Sequence, residues 1–239
     1  MRINRPVIDL LNAPTGSRIS QLLFGEDFEV ERVEGAQSFG HARCGYQGWL
    51  PSAALAENRR SSHYVCALAS FVYAAPDMKT EYRLRLPMSA RVNVSGTDGE
   101  FSRIPEGYIF TQHLASGPMP DYTTTAERFL GTPYLWGGRS STGVDCSGLV
   151  QLVLHIAGMN TARDSGPQSS SIGKPLPLDA RLKRGDLVFW GGHVGIMQNA
   201  THLLHATAFS MQVMSEALST TAARVRSQGY GEISAIRRL

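Results

Sequence analysis

Polar and apolar residues alternate over short stretches in the first half of the chain. Residues 27–33 read DFEVERV, which has the two-residue period of a strand with one buried face. Residues 40–44 predict a second strand, and residues 45–51, GYQGWLP, predict a turn that leads into a third. A polar linker follows at residues 57–62, and a similar pattern then begins again. Its predicted strands cover residues 64–68, 90–94 and 106–110.

These two stretches resemble each other weakly and predict two small β units. Each has an early turn that contains proline, a strand, a glycine beside an aromatic residue, and an Ala-Leu or His-Leu exit. Units of roughly 55 residues with several short strands are typical of small barrels. The GYQGWLP segment resembles the closing segment of bacterial SH3-like domains. The resemblance implies one SH3-like domain over residues 1–58 and a second over residues 59–117.

The pattern changes after the break at residues 116–120, SGPMP. Residues 123–130 predict a helix with a capping box, because Glu127 stands three residues after Thr124. Apolar residues at three- and four-residue steps predict a second helix from Ser147 to Met159. Short apolar runs separated by glycine or polar turns then predict antiparallel strands at residues 187–190, 193–197 and 203–206. Residues 118–239 are therefore expected to form an α+β domain, with helices packed on an antiparallel sheet.

Composition narrows the class of protein. Apolar residues make up 42% of the chain and charged residues 18%, which supports a packed core and argues against general disorder. The formal net charge is +3 with scattered Lys and Arg, so no nucleic-acid partner is expected. No export signal follows the N-terminal basic residues, and no apolar run is long enough to span a membrane. These features favour a cytoplasmic protein without a membrane partner.

Three cysteines stand at 44, 66 and 146, an odd number without a CxxC pair. This pattern predicts neither a disulfide framework nor a zinc knuckle. Cys44 and Cys66 are interpreted as small buried residues. Cys146 stands where a turn gives way to the second predicted helix, so its sulfur is expected near unpaired backbone N–H groups that favour negative charge. A helix start and a nearby imidazole would lower the pKa of this thiol, as a nucleophile requires.

Two of the seven histidines lie where they can serve such a thiol. His193 opens a predicted strand after two glycines, and His205 follows on the next strand. In an antiparallel pair the two rings can lie side by side, so that one acts as base and the other orients it. Hydrogen-bonded core or surface imidazoles are the expectation for the other five.

Five motifs stand in the order and spacing of the NlpC-type cell-wall peptidases. They are PYLWGG at 133–138, DCSGLV at 145–150, RGDLVF at 184–189, GHVGI at 192–196 and LHA at 204–206. The resemblance implies a papain-like fold, with Cys146 as nucleophile, His193 as base and His205 as its orienter. It also implies an oxyanion hydrogen bond from Tyr134, for which a core tyrosine is the alternative. Trp136 is interpreted as a groove wall or as core packing.

Two SH3-like units before such a domain resemble one branch of these enzymes, the γ-D-glutamyl-L-diamino-acid endopeptidases that recycle murein peptides. That branch implies a cut after an L-Ala-γ-D-Glu dipeptide with a free N-terminus. By the same resemblance, Asp145 is predicted to bind the amine in a pocket with Ser165, Tyr46 and Glu26. Ser147 and Trp136 are further residues predicted to bind substrate. For Tyr46 and Glu26, a strand tyrosine and a solvated turn glutamate are the alternatives.

The expected partner is a murein-derived tri- or tetrapeptide, and the chain is expected to act as a monomer without cofactor or metal. Three other functions stay open. One is a wall-peptide binding protein with a decayed catalytic domain, and another is a wall hydrolase, amidase or lipid acyltransferase on the same fold. The third is a metal enzyme, for which Cys146, His193 and His205 lack an evident fourth ligand.

Overall fold

The computed structural model describes residues 1–239 and divides by its contacts into two compact units. The first unit holds residues 1–118 together with Arg139–Ser141. The second holds residues 119–138 and 142–239.

The first half of the first unit is a five-stranded antiparallel sheet around an apolar core. Its strand order is β3-β2-β6-β5-β4, and β1 pairs with β7 beside it. The strands are β1 Arg2–Ile3, β2 Val7–Leu11, β3 Arg18–Leu23, β4 Phe28–Glu34, β5 Gln37–Ala42, β6 Gln47–Pro51 and β7 Leu55–Ala56. Buried Ile3, Leu10, Phe28 and Leu50 are part of the core. The predicted strands at 27–33, at 40–44 and within 45–51 are thus confirmed as β4, β5 and β6, with shifted ends.

The second half of the first unit has a core of its own, which includes Val65, Val72, Leu86 and Ile109. Its strands form one sheet of order β10-β9-β14-β13-β12 and a smaller one of order β11-β8-β15. They are β8 His63–Val65, β9 Ala69–Tyr73, β10 Tyr82–Pro87, β11 Arg91–Val92, β12 Gly96–Asp98, β13 Phe101–Ile104, β14 Gly107–Phe110 and β15 Leu114–Ala115. The short strand β16, Arg139–Ser140, completes the unit.

The two halves end in the same way. In each, a strand runs into one 3₁₀ turn and then into a two-residue strand: β6, Ser52–Ala54 and β7 in the first, β14, Thr111–His113 and β15 in the second. This shared ending is the structural counterpart of the weak sequence repeat. It arises because both segments place a glycine and an aromatic residue before an apolar exit.

The second unit is built on a six-stranded antiparallel sheet of order β18-β23-β19-β20-β21-β22. The six strands are β18 Lys174–Leu176, β19 Leu187–Trp190, β20 His193–Met197, β21 His202–Thr207, β22 Gln212–Ala217 and β23 Ala235–Arg238, and the short strand β17, Gly143–Val144, lies outside this sheet. The strands β19 to β21 confirm the three apolar runs predicted from sequence. Their apolar residues are almost fully buried, which places the sheet centre in the core.

Four helices accompany the sheet. They are α1 Tyr122–Glu127, α2 Cys146–Ile156, α3 Ser165–Ser171 and α4 Leu218–Ser227. The helix predicted from Ser147 is confirmed as α2, which begins one residue earlier and is followed by Gly158 at φ +82°. None of the four has both the length and the apolar character that a bilayer crossing needs.

The predicted capping box of the first helix is wrong. Asp121 caps α1 instead, because its carboxylate accepts from the backbone N–H and the hydroxyl of Thr124 at 2.8 and 2.7 Å. The carboxylate of Glu127 is used elsewhere, since it accepts from the Arg184 guanidinium at 2.7 Å. A charged acceptor one turn earlier therefore takes the role that the pattern gave to Thr124.

Candidate active site

Cys146 is the first residue of α2, the helix that packs against strands β20 and β21. Asp145 fixes this helix start, because its carboxylate accepts from the Gly148 backbone N–H at 2.6 Å. The thiol is 7% exposed, and its Sγ lies 4.0 Å from the carbonyl oxygen of Gly192, the residue that precedes His193. The fold thus brings the helix start to the beginning of β20.

The expectation of a lowered pKa for this thiol is wrong. Burial raises the pKa of Cys146 to about 11, and the neighbouring Asp145 carboxylate adds to the rise. Hydrogen bonds from the backbone N–H groups of Val194 and Ser147 oppose the change but do not cancel it. The thiol is therefore neutral at rest, and it needs a base that takes its proton as it reacts.

His193 and His205 lie on one face of the sheet as diagonal neighbours on β20 and β21. Nε2 of His193 and Nδ1 of His205 are 2.7 Å apart, a hydrogen bond. His193 also packs against the Trp190 ring at 5.7 Å between centroids. The predicted side-by-side pairing of the two imidazoles is confirmed.

Two residues that sequence reasoning missed continue this chain of contacts. Oε1 of Glu216, on β22, lies 2.9 Å from His205 Nε2. The Arg224 guanidinium, on α4, donates hydrogen bonds to both oxygens of the Glu216 carboxylate, and the one to Oε2 is 2.8 Å long. The sequence offers no periodic signal for Glu216, because polar and apolar residues do not alternate in residues 212–217, QVMSEA.

Burial keeps both imidazoles neutral. It lowers the pKa of His193 to about 3, with help from the nearby His205 and Arg224, while Glu216 acts in the opposite direction. Burial also lowers the pKa of His205, although the Glu216 carboxylate works to raise it. At neutral pH the site therefore holds a neutral thiol and two uncharged imidazoles, which line one cleft.

The thiol and the imidazoles open into a cleft of about 790 Å³ within the second unit. Tyr134 lines this cleft, and burial raises the pKa of its phenol, which therefore stays a hydrogen-bond donor. Trp136 lies on the cleft wall with 69% of its surface exposed. Exposed Phe209 and Tyr230 line it too. A wide cleft with several aromatic side chains in its wall suits a peptide chain.

The structure places Asp145 in a closed ion pair. Its two carboxylate oxygens accept from the Arg163 guanidinium at 2.9 and 2.6 Å, and the Gly137 N–H donates to it at 2.8 Å. The residue is 6% exposed. The Asp145 carboxylate therefore already has a cationic partner, and its amine-binding role, which the resemblance implies, stays a prediction.

The neighbouring serines are also internal. The Ser147 hydroxyl accepts from Arg163 at 3.0 Å, and its carbonyl accepts from the Gln168 side chain at 3.0 Å. Ser165 is the buried first residue of α3, the helix that carries Gln168. Neither serine is among the residues that line the cleft.

The two residues predicted from the first SH3-like stretch lie in the first unit. Glu26 pairs with Arg139 at 3.0 Å, and both side chains are largely buried. Burial works to raise the pKa of Glu26, but the Arg139 guanidinium outweighs it and the pKa is lowered. Tyr46 is half-buried against the core that contains Phe28 and Leu50. Their predicted contact with substrate stays a prediction.

A buried helix with cysteine at its start, packed on an antiparallel sheet that carries paired histidines, is a papain-like fold. The NlpC/P60 family model matches residues 131–229. A model described as "Bacterial dipeptidyl-peptidase Sh3 domain" matches residues 10–55. No group of three or more His, Cys, Asp or Glu side chains in the chain is arranged to hold a metal ion.

Curated relatives extend the match over most of the chain. A Bacillus subtilis protein named gamma-D-glutamyl-L-lysine dipeptidyl-peptidase is 31% identical over 82% of this chain and 75% of its own length. A Bacillus cereus protein of the same name is 29% identical over 63% of this chain and 51% of its own length. The chain belongs to the NlpC/P60 family of peptidases, and it is a hydrolase by that membership.

A solved structure shows the same fold. The crystal structure of an NlpC/P60 family protein from Bacillus cereus superposes with a TM-score of 0.84, covering 99% of this chain and 98% of the other, at 22% sequence identity. The papain-like domain and an SH3-like domain are thereby established as parts of one chain.

Proposed function

We propose that the protein is a cysteine endopeptidase that hydrolyses the γ-D-glutamyl-L-diamino-acid bond of murein stem peptides and releases L-Ala-γ-D-Glu. The observation that carries the proposal is the placement of Cys146 in one cleft with the hydrogen-bonded pair His193 and His205. The choice of the bond that is cleaved rests on the names of the two Bacillus relatives.

The geometry supports attack coupled to proton transfer. Because the thiol and the imidazole are both neutral at rest, His193 takes the proton as sulfur adds to the carbonyl carbon. The oxyanion that forms would accept from the Cys146 backbone N–H, which the helix leaves unpaired, and from the Tyr134 hydroxyl. His193 then gives its proton to the leaving amine, and a water molecule releases the dipeptide from sulfur.

The resemblance to dipeptidyl-peptidases also supports a substrate with a free L-Ala amine. An enzyme that releases a dipeptide from an N-terminus must close its groove beyond the second residue. The amine-binding role stays proposed for Asp145, Ser165, Tyr46 and Glu26, although both carboxylates already have an arginine partner. Ser147 stays proposed as a substrate-binding residue. Residues 59–117, with their own core and the shared strand ending, are proposed as a second SH3-like domain.

The test compares L-Ala-γ-D-Glu-L-Lys, its diaminopimelate analogue and the N-acetylated form of each, with products identified by mass spectrometry. Cleavage of the free peptides after D-Glu and almost none of the acetylated ones is expected. Comparable rates on both forms would instead indicate a general wall hydrolase. Cys146→Ala should abolish turnover without loss of folding, whereas Cys66→Ala, outside the second unit, should keep it.

A further inference from the structure

Beyond the three residues expected from the sequence, the site contains a partly buried carboxylate that is not itself part of the cleft lining. Glu216 is absent from the cleft lining, yet its Oε1 lies 2.9 Å from Nε2 of His205. His205 is 1% exposed, and its Nδ1 lies 2.7 Å from Nε2 of His193. Two successive hydrogen bonds therefore run from the Glu216 carboxylate through His205 to His193, which lines the same cleft as Cys146.

The direction of each hydrogen bond in this chain follows from simple chemistry. An ionised carboxylate only accepts, so His205 must carry its proton on Nε2. A neutral imidazole with a proton on Nε2 has a lone pair on Nδ1, and that atom can only accept. The 2.7 Å contact then requires a proton on Nε2 of His193, which leaves Nδ1 of His193 bare. A bare nitrogen is what a base needs to take a proton from Cys146.

Arg224 fixes the position of the Glu216 carboxylate, where this series of hydrogen bonds begins. It holds both oxygens of Glu216, and its guanidinium stacks over the Phe209 ring at 4.2 Å. The ion pair keeps the Glu216 carboxylate ionised: burial works to raise the pKa of Glu216, and the arginine lowers it below its usual range. The acceptor therefore remains an acceptor over the whole neutral range.

We propose that Glu216, clamped by Arg224, is a positioning residue that sets the tautomers of both histidines and so presents an unprotonated His193 Nδ1 to Cys146. Its negative charge also stabilises the positive charge that the imidazole pair acquires when His193 takes the thiol proton. Without Glu216, His205 could carry its proton on Nδ1 and donate to His193, which would put the proton of His193 on the nitrogen that should act as base. The inference rests on the cysteine-peptidase function proposed above.

The alternative is that the Glu216–Arg224 pair only fastens α4 to β22. The chain offers a matched control for this alternative, because Arg226 of the same helix pairs with Glu232 at 2.7 Å on the surface, away from the histidines. Glu216→Gln and Glu232→Gln make the same isosteric change in two arginine-bound glutamates of one unit.

The first measurement is the ¹⁵N spectrum of the histidine rings in the unaltered protein at neutral pH. Protonated and bare ring nitrogens resonate well apart, and the variants His193→Gln and His205→Gln assign the signals. The expected result is a proton on Nε2 and a bare Nδ1 in both rings. A proton on Nδ1 of His193 overturns the proposal. This measurement needs no peptide, so it stands whether or not the proposed substrate is cleaved.

The second measurement compares the variants. Glu216→Gln should shift the ring ¹⁵N signals of both histidines towards a tautomer mixture and lower kcat by about 10–10²-fold with KM unchanged, because Glu216 does not reach the cleft. Glu232→Gln should leave the spectrum and kcat as they were. Equal spectra and equal kcat for Glu216→Gln and the unaltered protein contradict the proposal, and if Glu216→Gln does not fold, the tautomers of the unaltered protein decide alone.

Discussion

His193 is a base without a charge until the reaction begins. It packs against Trp190 and a neutral His205 rather than against a free carboxylate, and the Glu216 charge reaches it only through His205. Burial therefore dominates its ionisation. Before the reaction His193 is neutral because it is shielded from water, and it can therefore accept a proton.

The acid side of the pH profile follows from this burial. Because the pKa of His193 is lowered to about 3, the ring stays neutral and active as pH falls from 7 through the ordinary imidazole range. A base with the usual pKa near 6.5 would lose about 90% of its neutral form at about pH 5.5. We expect kcat/KM at that pH to stay within about twofold of its value at pH 7, since the loss should begin only much nearer the lowered pKa.

The measurement is a pH–rate profile on L-Ala-γ-D-Glu-L-Lys, with circular dichroism at each pH as the control for folding. The peptide amine, whose usual pKa is about 8, stays protonated over this range and does not confuse the result. An inflection near the ordinary imidazole value would show that His193 is hydrated in solution.

At the scale of elements, α2 is held in place by charge at its first turn. Asp145 caps the helix, and Arg163 pairs with that cap in a site that water does not reach, with side-chain exposures of 8% and 1%. A buried ion pair is worth little net stability compared with an apolar pair, yet removing one partner leaves an uncompensated charge. The start of α2, and with it the position of Cys146, therefore depends on both residues.

A double-mutant cycle tests this dependence. Arg163→Met should lower the free energy of unfolding by about 3–5 kcal/mol, because it leaves the Asp145 carboxylate buried and unpaired. Asp145→Asn should cost less, and the double variant should be more stable than Arg163→Met alone because no charge is then stranded. Chemical denaturation, followed by hydrogen exchange of the α2 amides, measures the three changes.

If Arg163→Met costs less than about 1 kcal/mol, the pair is solvated and Asp145 is free to receive a substrate ammonium after all. The same variants then carry information on recognition. An Asp145 that binds the amine would show a raised KM for the free peptide in Asp145→Asn with normal stability.

At the scale of the whole molecule, a segment that lies within the sequence of the second unit belongs by its contacts to the first. Arg139 is 3% exposed, and its guanidinium donates to the Gln21 carbonyl at 2.8 Å and to Glu26. The Arg139 backbone N–H donates to the Gln21 side chain at 3.0 Å. The first unit is thus incomplete without residues that stand more than a hundred positions later.

Glu26→Gln tests what this contact contributes. It should lower the free energy of unfolding of the first unit by about 3–5 kcal/mol, because Arg139 keeps its charge in a buried site. Glu34→Gln is the matched control, since Glu34 pairs with Arg32 on the surface and its loss should cost at most about 1 kcal/mol. Denaturation curves for both variants measure the difference, and similar small losses would leave Glu26 available for the substrate role predicted from sequence.

The sequence by itself determined the local features of this protein. Period-two alternation located β4, and short apolar runs between turns located β19, β20 and β21, because strand and helix periods are written in neighbouring residues. The motif order located Cys146, His193 and His205, whose spacing resembles one family. The strands β9 and β10 and the helices α3 and α4 were not predicted, because polar and apolar residues recur less regularly in these segments.

Only the tertiary structure decided how the site is charged. A pKa depends on burial and on neighbours that are distant in sequence, so the helix-start argument gave the wrong direction for Cys146. In the same way, Arg163 pairs with Asp145, Arg139 with Glu26, and Arg224 with Glu216, and no sequence period links these partners. Which carboxylates are free and which are already paired is settled when the chain folds, since only then do residues far apart along it exclude water around one another.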